Sequence, residues 1–164
     1  MILGIDPGIA RVGWAVIKEQ HNRHDVVDYG CFETLKETAE EKRLLEIYEF
    51  LAKIIKTHRP DIAVIEKLFF ATNAKTAMMV GQARGAILLT LAHEKVAIVA
   101  YTPLQVKQAM TGYGAASKEQ VGQLVRSILH LSQVPKPDDA ADALAIALTH
   151  AFSYKFREGV NSLI

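Results

Sequence analysis

The sequence predicts an α/β fold in which a mixed sheet of five strands is flanked by helices. Short apolar runs alternate with polar turns in the opening part of the chain, a pattern typical of antiparallel strands. From Thr38 onward, helical stretches alternate with short apolar runs, which is the crossover pattern of a parallel sheet. The composition fits a globular protein, because 50% of the 164 residues are hydrophobic and 23% are charged.

The antiparallel part of the sheet is predicted to contain the first three strands. These strands are Met1–Asp6, Val12–Ile17 and Asp25–Glu33, with a polar turn around Asn22. The connections between them are short, so each strand is expected to pair with the one before it.

The first helix is predicted to begin at Thr38, because Thr38 and Glu41 have the spacing of a capping box. An apolar stripe continues along one helical face as far as Ile55, and Pro60 is predicted to end the helix. The parallel part of the sheet is then predicted to contain the strands Ile62–Ile65 and Val96–Ala100, separated by a long helix from about Asn73 to His93.

The last third of the chain is predicted to be helical. Thr102 and Pro103 start one helix, Ser117 with Gln120 caps the next, and a final helix runs from about Asp139 to Phe156. No internal repeat or Gly/Ser-rich linker interrupts the sequence, which predicts a single domain over residues 1–164.

The composition argues against membrane and disulfide-rich classes. The longest apolar runs are far shorter than the roughly 20 residues of a membrane span, so a cytoplasmic location without membrane contact is expected. The single cysteine, Cys31, allows neither an intrachain disulfide nor a thiolate zinc cluster, and it is interpreted as a buried thiol. The net charge of +1 neither demands nor excludes a polyanionic partner.

Two carboxylates stand at the ends of predicted strands. Asp6 ends the first strand in ILGIDPG, and Glu66 directly follows the apolar run of the fourth strand. Because the carboxyl ends of adjacent parallel strands share one edge of a sheet, these two side chains are expected to lie side by side.

Two further acidic residues, Asp139 and Asp142, stand three apart in DDAADALAIA and therefore share a helical face. The alanines around them allow this face to approach the sheet closely. Clustered carboxylates repel one another without a cation, so the set is interpreted as an oxygen cage for a hard divalent ion such as Mg²⁺. Two such ions about 4 Å apart would activate a water and stabilise the leaving oxygen in phosphodiester cleavage.

Each carboxylate also has a purely structural interpretation. Asp6 could support the turn at Pro7, and Glu66 could be a surface residue at a strand end. Asp138 and Asp139 stand where a helix begins, and the N-cap is assigned to Asp138. Asp142 is harder to explain in this way, because a carboxylate on an alanine-rich helical face needs a partner. Together the four residues Asp6, Glu66, Asp139 and Asp142 favour a metal site.

Five segments of the sequence occur in the order GIDPG, IEKLFFATNAKTAMMVGQARG, QVKQAMTGYG, SKEQV and DAADALAIALTH. In order and spacing they resemble the motifs of the RuvC family of bacterial Holliday junction resolvases, and the similarity runs from Ile2 to about His150. The resemblance implies a ribonuclease H-like fold, a homodimer, and Mg²⁺-dependent paired nicking of four-way DNA junctions during recombination and repair. It also implies RuvA and RuvB as partners in branch migration. Two Mg²⁺ ions per active site are expected, with Mn²⁺ as a substitute.

The resemblance assigns roles to individual residues. The family's catalytic, metal-binding carboxylates fall on Asp6, Glu66, Asp139 and Asp142, although Asp138 could take the place of Asp139.

The same resemblance places DNA contacts on Lys107 and Lys118, which flank the glycine loop and match basic positions of the family. Phe69 matches a residue that stacks on an unpaired base, and a core position is the alternative interpretation for its ring. Arg84 and Lys75 are further candidates for DNA contact, although Arg84 could instead support packing or the dimer.

Two other functions are compatible with the sequence. One is a ribonuclease H-like nuclease that acts on another structured nucleic acid, such as an RNA-DNA hybrid. The other is a junction-binding scaffold without catalysis, against which the intact set of four carboxylates argues.

Overall fold

The computed structural model describes residues 1–20, 23–67 and 74–161, and in the last range it describes side chains for residues 77–153. The five strands are β1 (Ile2–Asp6), β2 (Arg11–Gln20), β3 (Arg23–Glu33), β4 (Ile62–Glu66) and β5 (Ala97–Tyr101). The helices are α1 (Glu40–His58), α2 (Ala74–His93), α3 (Pro103–Thr111), α4 (Lys118–Ile128) and α5 (Asp138–Asn161).

The strands form one mixed sheet in the order β3-β2-β1-β4-β5. Strands β1, β2 and β3 pair antiparallel, whereas β4 pairs parallel with β1 and with β5. The predicted fold class is therefore confirmed. The register Ile5↔Ile65 between β1 and β4 brings the carboxyl ends of these two strands together, so the side chains that follow stand at one edge of the sheet.

A hydrophobic core lies on each face of the sheet. On one face, α3, α4 and α5 pack through residues such as Val106, Val125 and Leu144. On the other face, α1 and α2 pack through residues such as Ile47 and Ile87. Among the helices that the structure describes, none combines the length and apolar character needed to cross a bilayer.

Two glycines let α5 lie directly on the sheet. A Cβ atom at Gly4 would stand 2.1 Å from the carbonyl oxygen of Ala143, and one at Gly13 would stand 2.0 Å from that of Asp139. Neither contact is possible for a side chain, so only glycine permits this approach of helix and sheet. The close packing brings the first turns of α5 to the strand ends that carry Asp6 and Glu66.

The predicted helix starts are correct in two cases and wrong in one. Thr102 and Ser117 both form complete capping boxes at the starts of α3 and α4. The predicted capping box at Thr38 is absent, because the N-cap of α1 falls on Ala39, which makes no side-chain cap hydrogen bond. At the other end of α1, Arg59 in the left-handed conformation (φ 48°) ends the helix one residue before Pro60.

Strand and helix ends also differ from the predictions. Strand β2 extends beyond the predicted Val12–Ile17 at both ends. Helix α5 begins at Asp138 itself and continues to Asn161, past the predicted end at Phe156. The predicted turn at Asn22 lies outside the described residues.

Candidate active site

A pocket of about 280 Å³ opens at the carboxyl ends of β1 and β4. Its polar lining combines acidic side chains from three elements with two lysines. The polar lining residues are Asp6 of β1, Glu66 of β4, Asp142 of α5, Lys107 of α3 and Lys118 of α4. All five are candidate site residues of the sequence analysis, and the fold brings them together in one place.

The walls of the pocket are apolar. They are formed by Pro103, Val106, Val121 and Ile146, which belong to or adjoin the core beneath α3, α4 and α5. Apolar surroundings strengthen the interactions between charges that lie among them.

The turn that follows Asp6 is held by side chains outside the turn. The Thr34 hydroxyl donates to the carbonyl oxygen of Ile9 at 2.6 Å, and the Thr34 backbone N–H donates to that of Ala10 at 3.1 Å. The buried Arg43 guanidinium in turn donates to the Thr34 hydroxyl at 2.8 Å. These bonds hold the backbone at Ile9 and Ala10, shortly after Asp6.

Glu66 is positioned through its backbone. The Arg84 guanidinium of α2 donates to the carbonyl oxygen of Glu66 at 3.3 Å. Arg84 was predicted to contact DNA, with support of packing or of the dimer as the alternative, and this bond fits a role in packing. Helix α2 therefore stabilises the end of β4 at the point where Glu66 enters the pocket.

The strand-end carboxylates resist ionisation. Burial raises the pKa of Asp6 to about 8, and the nearby charges of Glu66, Asp142 and Asp139 contribute to the rise in that order. Burial also raises the pKa of Glu66, with the charge of Asp142 as the next cause. Lys118 lowers the pKa of both groups, but it does not offset the other effects. The pocket is thus short of positive charge.

The doubled acidic pair at the start of α5 divides into an outer and an inner residue. Asp138 is exposed, whereas Asp139 is partly buried and near enough to Asp6 to raise the pKa of that carboxyl. Among the described residues, Asp139 also lies 3.8 Å from the Arg11 guanidinium, which pairs with Glu33 at 3.0 Å. Asp139 does not line the pocket, but it is the member of the pair whose charge acts on Asp6.

Asp142 has a closer cationic partner. The Lys118 ammonium donates a hydrogen bond to Oδ2 of Asp142 at 2.6 Å. Asp142 first, and then Asp6 and Asp139, raise the pKa of Lys118, so the lysine stays protonated beside the carboxylates. The sequence predicted both residues for the site but did not predict that they contact each other.

The donor set fits a hard divalent cation. Carboxylate oxygens are the ligands that Mg²⁺ prefers, and the raised pKa of Asp6 reflects, besides burial, a repulsion that bound positive charge would relieve. In the part of the chain that the structure describes, however, no three acidic, histidine or cysteine side chains converge tightly enough to chelate an ion as they stand. The carboxylates would therefore have to turn toward one another to bind an ion.

Two predicted DNA contacts cannot be placed. Phe69 lies outside the described residues, and Lys75 belongs to α2 but its side chain is outside the described set. Both stay predictions. One residue that sequence reasoning missed is Arg11, whose only signal was a basic side chain shortly after the turn that follows Asp6.

Cys31 does not belong to the site chemistry. The side chain is partly buried on β3, and burial raises the pKa of its thiol to about 11, with the charge of Asp139 as the next cause. A thiol of this pKa is protonated at neutral pH and is a poor nucleophile.

Comparison with known proteins finds sequence similarity to one family along most of the chain. The family model of the crossover junction endodeoxyribonuclease RuvC matches residues 2–150. A crossover junction endodeoxyribonuclease RuvC of Alkaliphilus oremlandii is 50% identical over 158 residues, which cover 96% of each chain. That of Alkaliphilus metalliredigens is 52% identical over the same length and coverage.

Solved structures show the same similarity. The structure of RuvC from Thermus thermophilus in complex with a Holliday junction substrate superposes with a TM-score of 0.87 and 34% identity. The match covers 94% of this chain and 95% of that one.

Proposed function

The chain belongs to the RuvC family of crossover junction endodeoxyribonucleases, and we propose that the acidic pocket is the place where it hydrolyses DNA at four-way junctions. It is a nuclease with a ribonuclease H-like fold that resolves Holliday junctions and depends on divalent metal ions. We further propose roles for individual residues, the number of metal ions, the oligomeric state and the partner proteins.

The observation that carries the assignment of the site is the convergence of carboxylates and lysines in one pocket. We assign Asp6, Glu66, Asp139 and Asp142 as the residues that hold Mg²⁺, with two ions per site and Mn²⁺ as a substitute. Bound divalent ions supply activation of the attacking water and stabilisation of the leaving oxygen. The chain contributes the rigid supports: strand ends for Asp6 and Glu66, and the first turns of α5 for the other two.

The lysines hold the scissile strand. Lys107 and Lys118 enter the pocket from α3 and α4, on either side of the glycine loop, and their ammonium groups suit phosphate oxygens. Phe69 is proposed to stack on an unpaired base, and Lys75 to contact the backbone. Arg84 is proposed to support the end of β4 through the carbonyl of Glu66, and its contact with DNA stays a prediction.

A homodimer is proposed, since two symmetric nicks require two sites. Helix α2 offers a surface for it: Met78 and Leu89 are 64% and 65% exposed, and a Cβ atom added at Gly85, which lies between them, would meet no other atom within 4 Å. An apolar face with a small residue at its centre permits close packing against a second copy. RuvA and RuvB remain the proposed partners in branch migration, and residues 1–164 the proposed single nuclease domain.

The substrate is tested by competition. Purified protein is mixed with a mobile four-way junction, a matching linear duplex and an RNA-DNA hybrid, with Mg²⁺ or with a chelator. We expect paired nicks in the junction, dependence on the metal, and no cleavage by Asp6→Asn. Preferential cutting of the hybrid would contradict the proposal, and tight junction binding without cleavage would indicate a scaffold.

A further inference from the structure

The bond between Lys118 and Asp142 joins a flexible cationic side chain to a fixed carboxylate. Lys118 is the first residue of α4, and the capping box of Ser117 and Gln120 holds the backbone from which its side chain extends. The Lys118 side chain is 74% exposed, whereas that of Asp142 is 26% exposed. The lysine can therefore leave this contact by rotating about its own side-chain bonds, while α5 keeps Asp142 at the pocket.

The second lysine of the pocket behaves differently. Lys107 enters from α3, and among the described residues it makes no ion pair within 4 Å of a carboxylate. The two lysines thus line the same pocket and have the same charge and side-chain type. Of the two, only Lys118 bonds to an acidic residue that the structure describes. This difference provides a matched control.

A divalent ion bound to Asp142 would lie beside the Lys118 ammonium. It would be within a few ångströms of this group, whose Nζ is 2.6 Å from Oδ2. Like charges at that distance repel. Loosening of the contact between Lys118 and Asp142 would relieve this repulsion when the ion binds.

We propose that Lys118 competes with the divalent ion for Asp142, so that ion binding releases the lysine to the DNA phosphate. This inference rests on the proposed function of the pocket, and Lys118 acts in it as a positioning residue for Asp142. Because coupling between two ligands is reciprocal, phosphate binding to Lys118 frees Asp142 and strengthens binding of the ion. The site then loads metal most readily when a strand is in place.

The test measures metal affinity without cleavage. Mn²⁺ is titrated by calorimetry into the wild-type protein, Lys118→Met and Lys107→Met, all without DNA. Loss of a competing ion pair is expected to make Lys118→Met bind Mn²⁺ about three- to tenfold more tightly than the wild type. Lys107→Met, which loses the same charge without an ion pair, is expected to differ from the wild type by less than about twofold.

A second measurement addresses folding. Thermal unfolding in chelator is expected to show a lower Tm for Lys118→Met than for the wild type, because Asp142 loses its partner, and saturating Mn²⁺ is expected to remove the difference. If Lys118→Met does not fold, Lys118→Gln takes its place in both measurements.

Three results would overturn the inference. Equal affinities of the wild type and Lys118→Met would mean that lysine and ion share Asp142. Equal tightening in both lysine variants would mean a general effect of charge. Failure of the wild type to bind Mn²⁺ would remove the metal site and the inference with it. The first two results leave the proposed function intact, since metal-dependent junction cleavage by the wild type is measured separately.

Discussion

The strand-borne carboxylates, Asp6 and Glu66, differ from the helix-borne pair, Asp139 and Asp142, in how their charge is balanced. Asp139 and Asp142 lie 3.8 Å and 2.6 Å from the cationic groups of Arg11 and Lys118. Among the described ion pairs, neither strand carboxylate has such a partner, and burial raises the pKa of both. The uncompensated negative charge that favours binding of a metal ion therefore lies on the strands. The helices add ligands whose charge is already partly compensated.

The largest effect is expected from the strand-borne pair. Asp6→Asn and Glu66→Gln keep the shape of the side chains but remove the charges that bind the ion. We expect each to reduce junction cleavage by at least about 100-fold, the size of effect typical of losing one strong electrostatic contact in an active site. Single-turnover cleavage of a labelled junction measures this. If either variant kept more than about a tenth of the wild-type rate, the strand-borne carboxylates would not have the predicted larger effect.

The role of the helix-borne residue Asp139 is tested by comparison with its neighbour Asp138. Asp139→Asn is expected to reduce cleavage by at least about tenfold, because the charge of Asp139 acts on Asp6. Asp138→Asn is the matched control: Asp138 is exposed in the first turn of α5, and we expect a change of less than about twofold. Cleavage rates of the two variants under identical conditions decide the assignment. A reversal of their order would show that Asp138 is the ligand.

The unbalanced charge of Asp6 predicts a pH-dependent stability. Its pKa rises from 3.8 to about 8 on folding, so the folded protein keeps a proton that the unfolded chain loses within this interval. Without metal, the folded state is therefore destabilised progressively as the pH rises through the interval, and fully above it. Asp6→Asn lacks this penalty, and each pKa unit corresponds to about 1.4 kcal/mol.

Thermal unfolding in chelator measures this effect. At about pH 8.5 we expect Asp6→Asn to have a Tm higher than the wild type by at least about 3 °C, and at about pH 5.5 we expect a smaller difference. Saturating Mg²⁺ should raise the Tm of the wild type and leave that of the variant nearly unchanged. Equal Tm values in chelator at both pH values would show that the charge of Asp6 is balanced in some other way.

The smallest effect is expected from substitution of Arg11, measured as a change in Mn²⁺ affinity. Its guanidinium is half exposed and is shared between Glu33 and Asp139, so its pair with Asp139 is weak. Arg11→Gln is expected to change Mn²⁺ affinity by less than about twofold, compared with about three- to tenfold for Lys118→Met. Calorimetric titration compares the two. A larger effect at Arg11 would mean that Asp139, and not Asp142, is the carboxylate for which a cation competes.

The sheet and its strand-end carboxylates could be predicted because their signals are local. An apolar run that ends in an acidic residue is visible at Asp6 and at Glu66, and parallel pairing then places both at one edge. The complete capping boxes at Thr102 and Ser117 are local in the same sense. At Thr38 the same spacing misled, because the backbone forms a turn back to Leu35 and the helix starts after Ala39.

The ion pairs of the site could not be predicted because they join distant parts of the chain. The bond between Lys118 and Asp142 depends on how α4 packs on α5, through buried residues such as Val125 and Leu144. The contact of Arg11 with Asp139 depends on the approach of α5 to β2 that Gly13 permits. No spacing in the sequence specifies either distance.

The uncompensated negative charge of Asp6 favours binding of a metal ion. Proton release during metal binding tests this most directly. Mn²⁺ is titrated calorimetrically into the wild type and Asp6→Asn at about pH 7, in two buffers of different ionisation enthalpy. Since the pKa of Asp6 is about 8, the account predicts that binding to the wild type releases close to one proton per site. It also predicts much weaker binding to Asp6→Asn. Equal affinity in both proteins, without proton release, would contradict it.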